Sequence, residues 1–319
     1  MTVHLTAITI AFLLDLLIGD PKNMPHPVKW FGTSIVFLEK KLNIGEKRKR
    51  NGVILVVLLI FIVCTVTILL QLFFYSIHIY LGILFEALVI FTTIAQKSLK
   101  EAAMEVYYPL VKKDLKASRE ALSFIVGRDT EHLQEEEITR GAVETVAENT
   151  NDGITAPLFW AFVGGAPLAI LYRLVNTLDS MVGYRNERYN QFGWASARLD
   201  DLLNWIPARL TGFIMVLSGK GVQSLWSCLR ILVRDAKKHP SPNSGWGEAA
   251  MAALLGVQLG GTNYYKGIRS DRAKMGNHLQ PLRAEHIGSA CDLMKVTAAV
   301  FLIACWIGGL LIEFTISRI

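Results

Sequence analysis

Charge is what this 319-residue sequence has little of: 19% of its residues are Asp, Glu, Lys or Arg, against roughly 25% in an ordinary soluble domain. Residues 51–85 contain none of the four, and Glu86 is the only one up to Gln96. Cysteine is also scarce. Cys64, Cys228, Cys291 and Cys305 include no C-x-x-C pair, which argues against a zinc site or a disulfide framework. There is no G-x-x-x-x-G-K-[ST], no G-x-S-x-G and no H-E-x-x-H, so the common phosphate-loop, hydrolase-elbow and zincin signatures are excluded. No internal repeat or low-complexity tract is present, and the basic residues form no stripe interleaved with aromatics, so no nucleic-acid partner is expected.

What is there is apolar sequence, 52% of the chain, gathered into runs. A membrane span needs about 20 such residues. The expected fold class is all-α: a polytopic integral membrane protein with four to six membrane helices, some broken or re-entrant, plus cytosolic amphipathic helices. Residues 1–96 form an N-terminal segment and a membrane hairpin. Within it, 5–18 is a short apolar helix that either crosses marginally or inserts in part. It lacks the basic start and small-residue cleavage site of a signal peptide. Spans at 53–74 and 77–95 have basic flanks, Lys47 to Arg50 before and Lys97, Lys100, Lys112 and Lys113 after, so both flanks are expected in the cytoplasm. Residues 97–153 form a cytosolic segment of about three helices, with Gly127 as a stop and Asp129 or Thr130 capping the next helix. Residues 154–219 hold two apolar stretches, broken at Pro157, Gly164, Gly165 and Pro167 and at Pro207. Such breaks mark either a binding site or simple kinks. Residues 220–295 are expected in the cytosol and 296–319 as a last span ending outside. The whole is expected to work as one functional domain.

The polar residues of 127–209 come in compact groups. Arg140, Glu144, Glu148 and Asp152 recur every four residues, on one face if the helix runs that far. They are either a solvated stripe or hard oxygen donors for Mg²⁺. Asn176, Asp179, Tyr184, Arg185 and Arg188 form another group; Arg198, Asp201 and Asn204 fall at i, i+3 and i+6 in a third. Residues 117–219 hold eight arginines and no lysine. The planar guanidinium fork suits carboxylate and phosphate, so the window points to anion recognition or buried ion pairs.

Six blocks carry a resemblance. DLLIGDPKNMPHPVKWFG lies at 15–32, VGRDT at 126–130 and VETVAENTNDGITAPLFW at 143–160. YRLVNTLDSMVGYRNERYNQFG follows at 172–193, ARLDDLLNWIPARL at 197–210 and HPSPNSGWGEAAMAALLGVQLGG at 239–261. In these blocks, in this order, the chain resembles the adenosylcobinamide-phosphate synthase family, the CbiB/CobD-type proteins of cobalamin biosynthesis.

The resemblance implies a ligase of the cytoplasmic membrane with its active site at the cytoplasmic face. Its partners would be adenosylcobyric acid, (R)-1-aminopropan-2-ol phosphate or a related amino alcohol, and ATP. Mg²⁺ would be the cofactor, and a homo-oligomer or a complex with other corrinoid-pathway enzymes is compatible with it. Placed on this sequence, the catalytic candidates are Glu144, Glu148, Asp152, Asp179, Arg198 and Asp201, with Glu148, Asp152 and Asp179 the candidates for Mg²⁺. The candidates for substrate and phosphate are Arg128, Asp129, Asn149, Asn176, Arg185, Arg209, His239, Ser241, Asn243 and Glu248. The block at 239–248 is either an anion-approaching loop with Glu248 opening the next helix, or a turn and N-cap. A transporter of a corrinoid or organic anion is the alternative function.

Overall fold

The computed structural model describes residues 1–20, 26–184 and 186–317. Its helices are α1 (Thr2–Leu17), α2 (Pro27–Leu42), α3 (Arg48–Ile77), α4 (Ile79–Phe91), α5 (Gln96–Val111), α6 (Leu115–Ser123) and α7 (Glu135–Thr150). They continue with α8 (Ala156–Val182), α9 (Trp194–Leu203), α10 (Trp205–Ser218), α11 (Leu225–Asp235), α12 (Ser244–Leu255) and α13 (Glu285–Ile316). Two strands, β1 (Leu259–Tyr265) and β2 (Ile268–Met275), interrupt this helical order. Four stretches are long and apolar enough to cross a membrane: Arg48–Ile77, Ile79–Val111, Glu135–Val182 and Glu285–Ile316. Thr2–Leu17 and Trp205–Ser218 are shorter apolar helices. The protein is an all-α polytopic membrane protein, as the hydrophobic runs predict.

The chain divides into two compact units. The first comprises Met1–Ala95, Ala156–Asn204 and Ala304–Ile319; the second comprises Gln96–Thr155 and Trp205–Ile303.

In the first unit α3 and α4 form the membrane hairpin. They turn at His78, whose extended backbone ends one helix and whose ring accepts from the Tyr80 N–H at 3.3 Å. A core of Phe31, Ile35, Leu55, Leu59, Leu174 and Leu178 joins α2, α3 and α8. The solitary acid of the hairpin, Glu86, is fully buried and accepts from Tyr75 Oη at 2.6 Å and pairs with His4 Nδ1 at 2.7 Å. An ionisable group in such a setting must be paired, and the three side chains satisfy one another. Opposite lies the break in α8. Gly164 and Gly165 depart from helical geometry, with Gly165 at φ 65°, ψ −155°, a region essentially reserved for glycine. A Cβ at Gly165 would sit 2.3 Å from Glu86 Oε1.

In the second unit α12 is buried on every side, as an Ala-rich helix without a polar face must be. It packs against α7, α10 and α11. Gly247 permits the close approach to α7, since a Cβ there would meet the Ala147 carbonyl at 2.5 Å. Three sequence expectations change here. Residues 205–219 are not broken at proline: Pro207 lies in the first turn of α10, where its missing N–H has no intrahelical partner to lose. Asp129 and Thr130 do not cap α7. Gln134 does, in a capping box with Glu137. Nor does the α-helical face extend to Asp152: α7 ends at Thr150 and a π-helical turn, Asn151–Thr155, shifts the register.

Gly165→Ala should lower stability in detergent by about 1–3 kcal/mol through backbone strain and the Glu86 contact. Gly288→Ala, where a Cβ meets nothing within 4 Å in α13, should raise it by about 0.5–1 kcal/mol. Thermal unfolding of both variants checks the contrast; equal midpoints would contradict the strain.

Candidate functional site

The second unit holds a buried ionic cluster built around a β-hairpin. β1 and β2 pair antiparallel, with an irregularity between Leu259 and Gly261 where Gly260 and Gly261 take φ of 84° and 95°. Lys266 and Gly267, both at positive φ, make the two-residue turn. Asp129 grips that turn, accepting from the Lys266 N–H at 2.9 Å and the Gly267 N–H at 2.7 Å. Those two bonds, the Gly267 one foremost, hold its carboxyl below the usual range. Asp235 holds the other end, accepting from the Gly276 N–H at 2.9 Å while Arg234 and Lys238 pair with it at 2.6 Å. Burial would raise its pKa, but these bonds outweigh burial and bring it to about 2.

Between these grips lie Arg128, Arg140 and Glu144. Arg140 donates to the Gly260 and Thr262 carbonyls at 2.6 and 2.8 Å and to Asn263 Oδ1 at 3.0 Å. Arg128 reaches the same Asn263 oxygen at 2.9 Å and pairs with Glu144. The second oxygen of Glu144 accepts from the Gly260 N–H at 2.8 Å. Arg128 and Glu144 are 7% and 4% exposed, so the pair is desolvated and each member depends on the other.

One turn further along α7, Glu148 accepts the Ser244 hydroxyl at 2.9 Å. Glu248, in the buried helix α12, is 1% exposed and neither carboxyl oxygen has a hydrogen-bond partner among the described residues. His239 Nε2 lies 3.5 Å from its Oε1. The Ser241 N–H donates to His239 Nδ1 at 3.0 Å, leaving Nε2 as the ring nitrogen that faces Glu248. Arg272 Nη1 stands 3.4 Å from the same nitrogen, and its Nη2 donates to Tyr265 Oη at 3.0 Å. Burial, with the charges of Glu144 and Glu148 added, pushes the Glu248 carboxyl well above the ordinary range. Burial and the Arg272 charge push His239 below its own. Arg128, Arg140 and Arg272 thus stand among Glu144, Glu148 and Glu248, guanidiniums and carboxyls gathered on one hairpin.

Eleven of the residues singled out from sequence belong to this unit. Besides those above, Asn149 donates to the Thr145 carbonyl at 3.0 Å, and Asp152 accepts from Asn151 Nδ2 at 2.7 Å. Arg209 lies over the Trp205 and Trp246 rings, 4.2 and 5.1 Å from their centres, and is 3.4 Å from Asn243 Oδ1. Ser241 is a local cap: its hydroxyl accepts from the Asn243 and Ser244 N–H groups, and those amides face the hydroxyl rather than a ligand. Glu248 does not open α12 but sits in its second turn. Asn176, Asp179, Arg198 and Asp201 belong to the first unit, where Asp200 accepts from Asn204 at 3.1 Å and from Asn176 at 3.4 Å. Arg185 lies outside the described residues. Among the described residues no three His, Cys, Asp or Glu side chains are grouped to hold a metal ion. Sequence reasoning missed Arg272, Asn263 and the hairpin carrying them. The Gly-Gly at 260–261 and the Lys-Gly between β-prone Tyr264-Tyr265 and Ile268 were the available signal.

Glu248 holds its proton more tightly in the folded chain than in the unfolded one. The stability it contributes is therefore complete below its unfolded pKa of about 4.3 and is lost as pH rises through the folded value. His239 has the opposite sign: its contribution is present above about 6.5 and is lost on acidification. Glu248→Gln should therefore gain stability over the unsubstituted chain as pH rises above about 4.3 toward the folded value, by up to about 1.4 kcal/mol per unit. Denaturant titrations from pH 5 upward check it; a difference that does not change with pH would contradict the raised carboxyl.

No solved structure matches this chain. A cobalamin biosynthesis protein CobD of Halalkalibacterium halodurans is 52% identical over 315 residues, covering 98% of this chain and 99% of its own. A CobD of Geobacter metallireducens is 49% identical over 289 residues, 89% of this chain and 90% of its own. A cobalamin biosynthesis protein CbiB of Salmonella typhimurium is 46% identical over 302 residues, 92% and 93% respectively. The family model described as CobD/Cbib protein matches residues 8–294, a stretch that includes both the membrane hairpin and the whole hairpin-centred cluster, and the chain accordingly belongs to the CobD/CbiB family.

Proposed function

We propose that this chain acts in cobalamin biosynthesis as the ligase that joins (R)-1-aminopropan-2-ol phosphate, or a related amino alcohol, to a propionate of adenosylcobyric acid. The product is adenosylcobinamide phosphate, and ATP drives the reaction. The observation that carries this reading is the desolvated cluster of Arg128, Arg140, Arg272, Glu144, Glu148 and Glu248, with one carboxyl unpartnered. Amide formation from a carboxylate is uphill in water. The propionate oxygen attacks a phosphorus of ATP, giving an acyl phosphate and ADP. The amine, after losing a proton, then attacks the acyl carbon and phosphate leaves. Both steps bring anions together, and preorganised guanidiniums in a water-poor site stabilise that charge without reorganising. One of the cluster's ionised carboxylates would take the proton of the incoming ammonium.

Glu148 and Asp152 would offer hard oxygen donors to Mg²⁺. When bound, Mg²⁺ would supply neutralisation of phosphate charge. We assign the contacts to substrate amides and phosphates to Asn149, Arg209 and Asn243.

The deciding experiment incubates the purified chain with adenosylcobyric acid, aminopropanol phosphate and Mg·ATP. Adenosylcobinamide phosphate with matching ADP release is expected; saturable corrinoid binding without product would favour a transporter instead. Asp152→Asn should lower turnover by at least about 100-fold while the protein still inserts. The cytoplasmic site also predicts that a cysteine placed at Asn190 reacts with an impermeant maleimide only after the membrane is permeabilised; labelling in intact cells would refute that placement.

A further inference from the structure

The first unit contains a cavity of about 560 Å³ lined by Glu39, Lys40, Asn43, Arg48, Glu187 and Arg188, none of which the ligase reading uses. Its floor is rigid. Glu39, 6% exposed at its side chain, is held in a fork by Arg188 Nε and Nη2, both at 3.1 Å. Asn43 Nδ2 donates to Glu39 Oε1 at 3.0 Å and to the Arg188 carbonyl at 3.2 Å. Those two acceptors fix the amide orientation and leave Asn43 Oδ1 buried, with no hydrogen-bond donor among the described residues. At the rim Lys40 and Arg48 have no carboxylate partner among the described residues, and Arg48 donates through Nε only to the Gly45 carbonyl at 3.2 Å. The cavity thus presents two cations and the Glu187 carboxylate, none with an ion-pair partner among the described residues, a net positive charge beside one buried acceptor that needs a donor. A phosphodiester bearing a hydroxyl satisfies both.

The location selects the source of that phosphate. Arg48 is the first residue of α3, and the exposed apolar surface of that helix begins at Val53 and Ile54 and continues through Val57 and Phe61. At 1.5 Å per residue Val53 stands about 7.5 Å along the axis from Arg48. A bilayer's headgroup layer is about 5–7 Å deep on each side of its hydrocarbon core. The cavity therefore lies at headgroup depth when α3 crosses. Exposed Phe37 and Trp194 lie near it, with Lys41 over the Phe37 ring at 4.2 Å and Lys49 over the Trp194 ring at 4.1 Å. Exposed aromatics capped by lysines are the composition of a membrane interface.

We propose that this cavity is a binding site for an anionic glycerophospholipid of the phosphatidylglycerol type, its phosphate on Lys40 and Arg48 and a headgroup hydroxyl donating to Asn43 Oδ1. The lipid ties the α2–α3 corner to the bilayer surface at a fixed depth.

The test uses the full chain in non-ionic detergent with an equimolar mixture of phosphatidylglycerol and phosphatidylcholine of the same acyl chains, read by native mass spectrometry. Retained phosphatidylglycerol should exceed phosphatidylcholine. Lys40→Ala with Arg48→Ala should weaken the phosphatidylglycerol adduct by about 30-fold, at roughly a factor of five per cation. Lys40→Ala alone, at an exposed side chain, should give the smaller share should the double variant fail to fold. Asn43→Leu should weaken phosphatidylglycerol while leaving phosphatidic acid, which has no headgroup hydroxyl, unchanged. Lys112→Ala should change neither. Equal retention of the two lipids, or undiminished phosphatidylglycerol binding in the double variant, overturns the proposal. So does complete displacement by millimolar glycerol 3-phosphate, which would make the cavity a site for a soluble phosphate compound.

Discussion

Burying charge in an apolar chain is the constraint on which the rest of this structure depends. An isolated ion is too costly to take out of water, so each buried ionisable group must be paired, bonded to backbone or neutralised. Glu144 shows the first two solutions together, meeting Arg128 with one oxygen and the Gly260 N–H with the other. Removing either partner would strand the remaining charge. The hairpin is accordingly held by ionic grips at the turn, the irregular glycines and the base, rather than by a large apolar face of its own. Glu248 shows the third solution. It sits in a helix buried all round, beside two other carboxylates, and holds its proton.

The membrane units of the fold were legible in the sequence because their signal is long and monotonous. The charge-free stretch over 51–85 became α3 and most of α4, and the glycines at 164 and 165 became a real break in α8. Local punctuation was less legible. Pro207 looked like a break and is a first-turn proline, because tolerance for proline depends on whether the helix has already begun. Asp129 looked like a helix cap and caps a β-turn, because a carboxylate bonds two adjacent N–H groups equally well in either setting. The strands were hidden by their own composition: β1 begins with glycines and β2 is largely charged. Their pairing is enforced by Arg128, Arg140 and Asp129, more than a hundred residues away in sequence, and no local pattern encodes that.

Within the cluster, helical spacing grouped Arg140, Glu144 and Glu148 on α7, while Glu248 drew notice only as the residue after the loop at 239–247. Arg272 was illegible because it sits in a charged segment with Arg269, Asp271 and Lys274, and nothing in the order of residues says which of these turns inward. The answer is set by strand alternation and by Tyr265, whose hydroxyl accepts from Arg272.

The arginine-only window illustrates how far a composition signal can be taken. Its preference for arginine over lysine suggested anion recognition or buried ion pairs, and the visible contacts mix one buried pair with bonds to carbonyls. Arg119 donates to the Leu133 carbonyl, Arg140 spans two carbonyls and an amide oxygen, Arg128 pairs with Glu144, and Arg188 forks onto Glu39. Arg128, Arg140 and Arg188 use the planar guanidinium to bind several acceptors at once, which an ammonium on a flexible stem does less well. Lysine is used where solvent is close, over the rings of Phe37 and Trp194. An arginine already committed to the protein can still carry function, because its field is not used up by its hydrogen bonds. The field of Arg128, Arg140 and Arg272 extends beyond their partners. The contacts that build the site are therefore also what makes it attractive to an anion.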